Sequence, residues 1–140
     1  MSTDPAASSA RRAASTPPSK GAAKACVLVV DDEADIRETL REAVEMVGCT
    51  ALLAANGADA LRLLREREPC LMILDLLMPV MTGEELLEIL QKQSALAHLR
   101  VVISTSAPQR APAGIPVLPK PIDLGAFWAW IRQNCHCGSA

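Results

Sequence analysis

The 140-residue chain has no tyrosine, one phenylalanine and two tryptophans. So few rings give no platform for stacking bases, and a net charge of −2 gives no basic groove for a phosphate backbone. Nucleic acid is therefore not an expected partner. No apolar run approaches the roughly 18–20 residues of a bilayer span, so no membrane segment is expected. The amino terminus lacks the apolar core, about 7–15 residues long, of a secretory signal. A cytoplasmic setting is the expectation, and there five cysteines need not pair. Cys26, Cys49 and Cys70 fall in or beside apolar runs, where a thiol packs as a small hydrophobe.

What is present suits a single domain: 50% of the residues are apolar. Charge is unevenly placed. Residues 1–24 hold Arg11, Arg12, Lys20 and Lys24 against Asp4, a net of +3, so the remainder carries −5. That first stretch is mostly Ala, Ser and Pro and cannot bury enough surface to offset ordering entropy. It reads as a disordered tail, followed by a folded domain over 25–135 and a short tail over 136–140.

From Cys26 onward the period alternates. Cys26 to Val30 is a short β-branched run, as in a strand buried on both faces. Ile36, Leu40, Val44 and Val47 recur at helical spacing, and Gly48 ends that helix. A second strand is predicted over Thr50 to Ala54, and a helix capped by Asn56 through Arg67. Leu71 to Asp75 is a third strand. Thr82 and Glu85 have capping-box spacing ahead of Leu86, Leu87 and Leu90. A fourth strand over Val101 to Ser104, a short fifth at Val117 and Leu118, and a helix from Asp123 to about Cys135 complete the chain. Strands alternating with helices predict right-handed βαβ units, hence an α/β fold with a parallel, doubly wound sheet. Such sheets bind ligands at the carboxyl ends of their strands.

That edge collects the polar residues. Asp31 and Asp32 follow the first strand, and Asp75 ends the third. Thr105 and Ser106 follow the fourth, and Lys120 the fifth. Acidic pairs after a strand often serve only as helix caps, and Thr105 and Ser104 compete with Ser106 for any role of the hydroxyl. Together the set is more specific. Three carboxylates stay ionised side by side if a hard cation lies between them, and oxygen ligands without His or Cys select Mg²⁺ or Mn²⁺. A lysine and a hydroxyl would then serve phosphoryl oxygens. This is equipment for phosphoryl transfer with an Asp nucleophile.

The motifs Val27-Leu28-Val29-Val30-Asp31-Asp32-Glu33, Leu74-Asp75-Leu76-Leu77-Met78-Pro79 with Gly83, Ser106-Ala107 and Lys120-Pro121 stand in this order. The chain thereby resembles the receiver domain of two-component response regulators, from about Ala25 to Asn134. The resemblance implies a five-stranded, flavodoxin-like sheet of order 2-1-3-4-5. It implies that Asp75 accepts a phosphoryl group from a histidine kinase or histidine phosphotransfer protein. Asp32, Asp75 and the backbone carbonyl of Leu77 would ligate Mg²⁺ directly, with Asp31 acting mainly through water. Ser106 and Lys120 would contact the phosphoryl oxygens. Such a domain is a switch, not a turnover enzyme, though it assists its own phosphorylation and slow dephosphorylation. In the family, side chains two beyond the acceptor and two beyond the hydroxyl residue tune hydrolysis; here these are Leu77 and Pro108.

Two departures stand out. Val117 occupies a position that is usually Tyr or Phe. Lys120 stands only 14 positions after Ser106, and Pro108, Pro112, Gly114 and Pro116 leave room for a turn where the family has a fourth helix. The first reading is a stand-alone receiver, since about five residues follow the last helix. The alternative is a phosphorylation-independent interaction module on the same fold. A haloacid-dehalogenase-type phosphatase also uses Asp, Mg²⁺, Ser/Thr and Lys, but places its nucleophile on the first strand in an Asp-x-Asp pattern that is missing here. Cys135-His136-Cys137 is a weak metal motif. Trp128 reads as core. Trp130 lies off the apolar face and reads as a partner or homodimer contact.

Overall fold

The computed structural model describes residues 26–93 and 99–134. The proposed tails and Cys135-His136-Cys137 lie outside them. The elements are β1 (Cys26–Val30), α1 (Ala34–Met46), β2 (Thr50–Ala54), α2 (Gly57–Arg67), β3 (Leu71–Asp75), α3 (Gly83–Gln91), β4 (Arg100–Thr105), a 3₁₀ turn (Pro108–Arg110), β5 (Val117–Pro119) and α4 (Leu124–Asn134).

All strand pairs are parallel, in the order β2-β1-β3-β4-β5. The chain steps from β1 outward to β2, then returns to the other side of β1 as β3. The β1–β3 border is thus the topological switch point, where the loops after the two strands part and leave a crevice.

Strand residues alternate between two cores because side chains alternate across a sheet. Val27, Val29, Leu71, Ile73 and Val102 pack with Leu40, Ala43 and Val44 of α1 and with Phe127 and Ile131 of α4. Leu28, Val30, Met72, Leu74 and Ile103 pack with Ala60 and Leu64 of α2 and with Leu86 and Leu87 of α3. Each such fully buried aliphatic side chain contributes about 1.5–3 kcal/mol.

The helix starts follow local chemistry. The Asn56 side chain accepts from the Asp59 N–H at 2.9 Å. Thr82 and Glu85 close a reciprocal capping box, Glu85 N–H to Thr82 Oγ1 at 3.1 Å and Thr82 N–H to Glu85 Oε1 at 2.9 Å. Asp123 caps α4 through Gly125 N–H at 3.0 Å.

Some boundaries move. β4 reaches Thr105 because its ladder with β3 extends to the Asp75–Ser104 pair and its ladder with β5 to Thr105–Pro119. Val47 lies just past the end of α1 as its C-cap. The stretch from Ala107 to Pro116 holds only the 3₁₀ turn, as its prolines require. Trp128 is half-buried, and its Nε1–H donates to the Ala43 carbonyl at 2.9 Å, tying α4 to α1. Trp130, expected as a partner or homodimer contact, also has a role within the chain. It is half-buried and stacks on Phe127, with centroids 6.4 Å apart and planes 17° from parallel. Its ring is long enough to fold back over the adjoining turn, so much of its apolar surface is used within the chain. Among the described residues, no helix is long and apolar enough to cross a membrane.

Candidate functional site

The site begins where β1 ends. Asp31 extends the ladder by one bond, its N–H donating to the Ala54 carbonyl at 3.1 Å. The chain then turns into α1, whose N-cap is Glu33; the Glu33 side chain makes no capping bond. The acidic pair therefore does not cap α1 in the usual way. Asp31 is buried instead: its Oδ1 accepts from Glu33 N–H at 2.9 Å, and its Oδ2 lies 2.9 Å from Lys120 Nζ. Its carbonyl accepts from Arg37 Nη1 at 2.8 Å. Asp32 is exposed.

Asp75 closes β3 and is only 5% exposed. Its Oδ1 accepts from Leu77 N–H at 3.2 Å, and its Oδ2 lies 3.5 Å from Lys120 Nζ. Gly83, at the start of α3, lies so close that a Cβ there would sit 2.6 Å from the Asp75 carbonyl oxygen. Lys120 follows β5, and its N–H donates to the Thr105 carbonyl at 2.9 Å. Its ammonium also lies 3.7 Å from Glu33 Oε1.

Asp31, Asp32 and Asp75 each bring one carboxylate oxygen within 4.8 Å of the others. Burial, and then the charge of Asp31, push Asp75 up to about 6; the Leu77 N–H and Lys120 pull the other way. Burial would lower Lys120, but its hydrogen bond to Asp31 and the charges of Asp31, Asp75 and Glu33 raise it overall. One ammonium faces three carboxylates here, and Asp32 adds a fourth to the group. That excess of negative charge, on oxygen donors alone, fits a hard divalent cation such as Mg²⁺ or Mn²⁺.

The predicted residues do not all meet. Asp31, Asp32, Asp75 and Lys120 converge. Ser106 follows β4 at the same edge and is exposed. Leu77 contributes its N–H to Asp75, and the residue is 42% exposed. Thr105 is fully buried and its Oγ1 accepts from Ala107 N–H at 3.0 Å, so that hydroxyl is engaged in its own turn. Ser104 pairs in register with Asp75, and its buried Oγ has no hydrogen-bond partner among the described residues.

No motif includes Arg37, and none gives the Glu33 carboxylate a role. Glu33 stood within the acidic motif. Arg37 stands one helical turn beyond it, the only local signal for its contact with the turn. Beside Lys120, a mostly apolar cavity of about 310 Å³ runs between Ile36, Thr39 and Leu40 of α1 and Pro121, Ile122 and Leu124.

Comparison with known proteins places the chain in a family. The chain is 31% identical over 111 residues to the response regulator MprA of Mycobacterium ulcerans, covering 76% of this chain and 48% of that one. It is 40% identical over 68 residues to the probable transcriptional regulator ycf27 of Porphyra purpurea, covering 49% and 28%. The chain thus spans half or less of the length of these relatives. Among solved structures it resembles the Vibrio cholerae chemotaxis protein CheY4, with TM-score 0.71, 26% identity and coverage of 80% and 99%. A response regulator receiver protein from Pseudomonas putida gives TM-score 0.70, 29% identity and coverage of 80% and 98%. The family model for the response regulator receiver domain matches residues 27–124, and the chain belongs to that family, the signalling domain of two-component systems.

Proposed function

We propose that this receiver is phosphorylated on Asp75 by a histidine kinase or a histidine phosphotransfer protein, in the cytoplasm. The observation that carries this reading is a buried carboxylate grouped with Asp31 and Asp32 within 4.8 Å and facing Lys120 at 3.5 Å. Asp31 is engaged by Lys120 and Glu33 N–H, and Asp32 is exposed. Asp75 is the carboxylate that can attack in line while the others manage charge.

In the step itself an Asp75 oxygen attacks phosphorus. The P–N bond to the donor imidazole breaks, its electron pair stays on nitrogen, and an acyl phosphate forms. Asp32, Asp75 and the Leu77 carbonyl would hold Mg²⁺, with Asp31 acting through water, and the ion when bound would supply positive charge against the phosphoryl oxygens. Lys120 leaves Asp31 for one phosphoryl oxygen, and Ser106 donates to another. The apolar cavity shares Lys120 with the site, which supports the donor protein resting on Ile36, Pro121 and Ile122. Neither Leu77 nor Pro108 carries a side-chain group to orient water, so the acyl phosphate should persist for minutes or longer.

The test is labelling by acetyl phosphate or a cognate kinase in the presence of Mg²⁺. Wild type should take up acid-labile phosphate and Asp75→Asn none. Equal labelling of the two proteins overturns the assignment. No labelling of either favours the phosphorylation-independent interaction module, the reading to which Val117 and the short β4–β5 connection also point.

A further inference from the structure

We propose that Arg37 is a positioning residue for Asp32, and thereby for the divalent cation. This rests on the proposed function, in which Asp32 and Asp75 hold that cation.

Arg37 lies four residues after the N-cap Glu33. Side chains of a helix lean toward its amino terminus, so Arg37 reaches back over the β1–α1 turn. Its backbone N–H donates to the Glu33 carbonyl at 3.0 Å, and its Nη1 to the Asp31 carbonyl at 2.8 Å. One residue thus holds both ends of the turn. Among the described residues no carboxylate forms an ion pair with Arg37. Arg41 and Arg62, by contrast, are paired with Glu38, Glu45 and Glu66. A half-buried guanidinium has been placed on a backbone carbonyl instead.

The carbonyl it holds belongs to the peptide joining Asp31 to Asp32. Asp31 has further anchors in Ala54, Glu33 and Lys120. Asp32 is exposed, and no side-chain hydrogen bond fixes it among the described residues. The direction of its carboxylate is therefore set through the backbone, and Arg37 clamps the peptide that sets it. A charged donor on a carbonyl makes one of the stronger hydrogen bonds available for this.

Charge and geometry make opposite forecasts. As a mere positive charge near a cation site, Arg37 would repel the incoming ion, and its removal would tighten binding. As a positioning residue, its removal loosens Asp32 and weakens binding. Groups that orient metal ligands without touching the metal typically affect affinity on the order of tenfold or more.

The experiment is a Mg²⁺ titration of the full chain, read by tryptophan fluorescence or amide chemical shifts, with folding followed by circular dichroism. Arg37→Met should weaken Mg²⁺ about tenfold. Arg37→Lys, which keeps a charged donor, should recover most of that loss. Arg41→Met removes the same charge from the same helix and should leave affinity unchanged. In an Asp32→Ala background, Arg37→Met should add little. Tighter or unaltered binding in Arg37→Met overturns the proposal, as does a full tenfold loss persisting without Asp32. If Arg37→Met does not fold, Arg37→Gln against Arg37→Lys decides: equal affinities at the wild-type level overturn it. A wild type that binds no Mg²⁺ overturns the phosphoacceptor reading itself, and this proposal with it.

Discussion

The turn between β1 and α1 and the connection between β4 and β5 border the same end of the sheet but are held differently. In the first, Asp31 alone meets Ala54, Glu33, Arg37 and Lys120. The second runs from Ser106 to Pro116 around one 3₁₀ turn. Pro108, Gln109, Arg110, Ala113, Gly114 and Pro116 are exposed there, and among the described residues a single ion pair, Arg110 to Glu84 at 3.6 Å, reaches another element. On the proposed function, the difference separates two tasks. Charges that must converge on a cation need a backbone that does not yield. A segment that registers a change at Ser106 needs alternative arrangements of similar energy, which sparse burial and exposed hydrogen bonds allow.

The largest expected effect lies on the rigid side. Gly83→Ala would bring a Cβ within 2.6 Å of the Asp75 carbonyl oxygen and 2.8 Å of Leu76 Cα. Both are backbone atoms and cannot swing aside. Destabilisation of about 3 kcal/mol should appear in urea unfolding. A loss below about 0.5 kcal/mol would mean that the acceptor loop yields as readily as the β4–β5 connection.

Next comes Asp75. Its carboxyl titrates near 6 in the folded protein, against an ordinary value of 3.8. Between those values the native state binds more protons than the unfolded chain, so metal-free stability falls as pH rises through the interval. Asp75→Asn removes that loss. It should stabilise the metal-free protein by about 2 kcal/mol at pH 7 and make little difference below about pH 4. Thermal unfolding across pH checks this, and equal stabilisation at about pH 3.5 and pH 7 would rule out titration as its cause.

Much of this division was legible in the sequence. Thr82 with Glu85, Asn56 and Asp123 announced helix starts because capping is local chemistry. Asp75 was visible because it ends a buried run. Where Lys120 rests was not: its residue type suits phosphoryl oxygens, but the folded chain sets it nearest Asp31, at 2.9 Å. Arg37 left no motif, because its partner is a backbone carbonyl that any residue would supply. The stacking of Trp130 on Phe127 was not legible either, because counting angles around a helix records direction but not the reach of a large ring.

Gly114 tests the looser side. Its φ is +89° and nothing lies within 4 Å of a Cβ built there. Gly114→Ala should therefore cost only the backbone strain, about 1 kcal/mol. Mg²⁺ affinity should stay at the wild-type level. A tenfold change in affinity would show that the connection is coupled to the carboxylates after all.

The smallest effect on stability, and the most informative about the connection, belongs to Arg110. Its pair with Glu84 is exposed on both sides, and such pairs contribute roughly 0–1 kcal/mol. Arg110→Met should leave the unfolding midpoint nearly unchanged. Glu84 stands in the first turn of α3 and follows Gly83, which packs against the Asp75 backbone, so the pair links the start of α3 to the segment after Ser106. Removing it should speed amide exchange between Ala107 and Val117 and leave residues 31–34 as they were. In wild type with Mg²⁺, a beryllofluoride mimic of the acyl phosphate should change protection in the same stretch, by drawing Ser106 inward and reordering the β4–β5 connection behind it. If the mimic alters exchange at 31–34 but not between Ala107 and Val117, the assignment of the two tasks is reversed, and the β1–α1 turn becomes the part that moves.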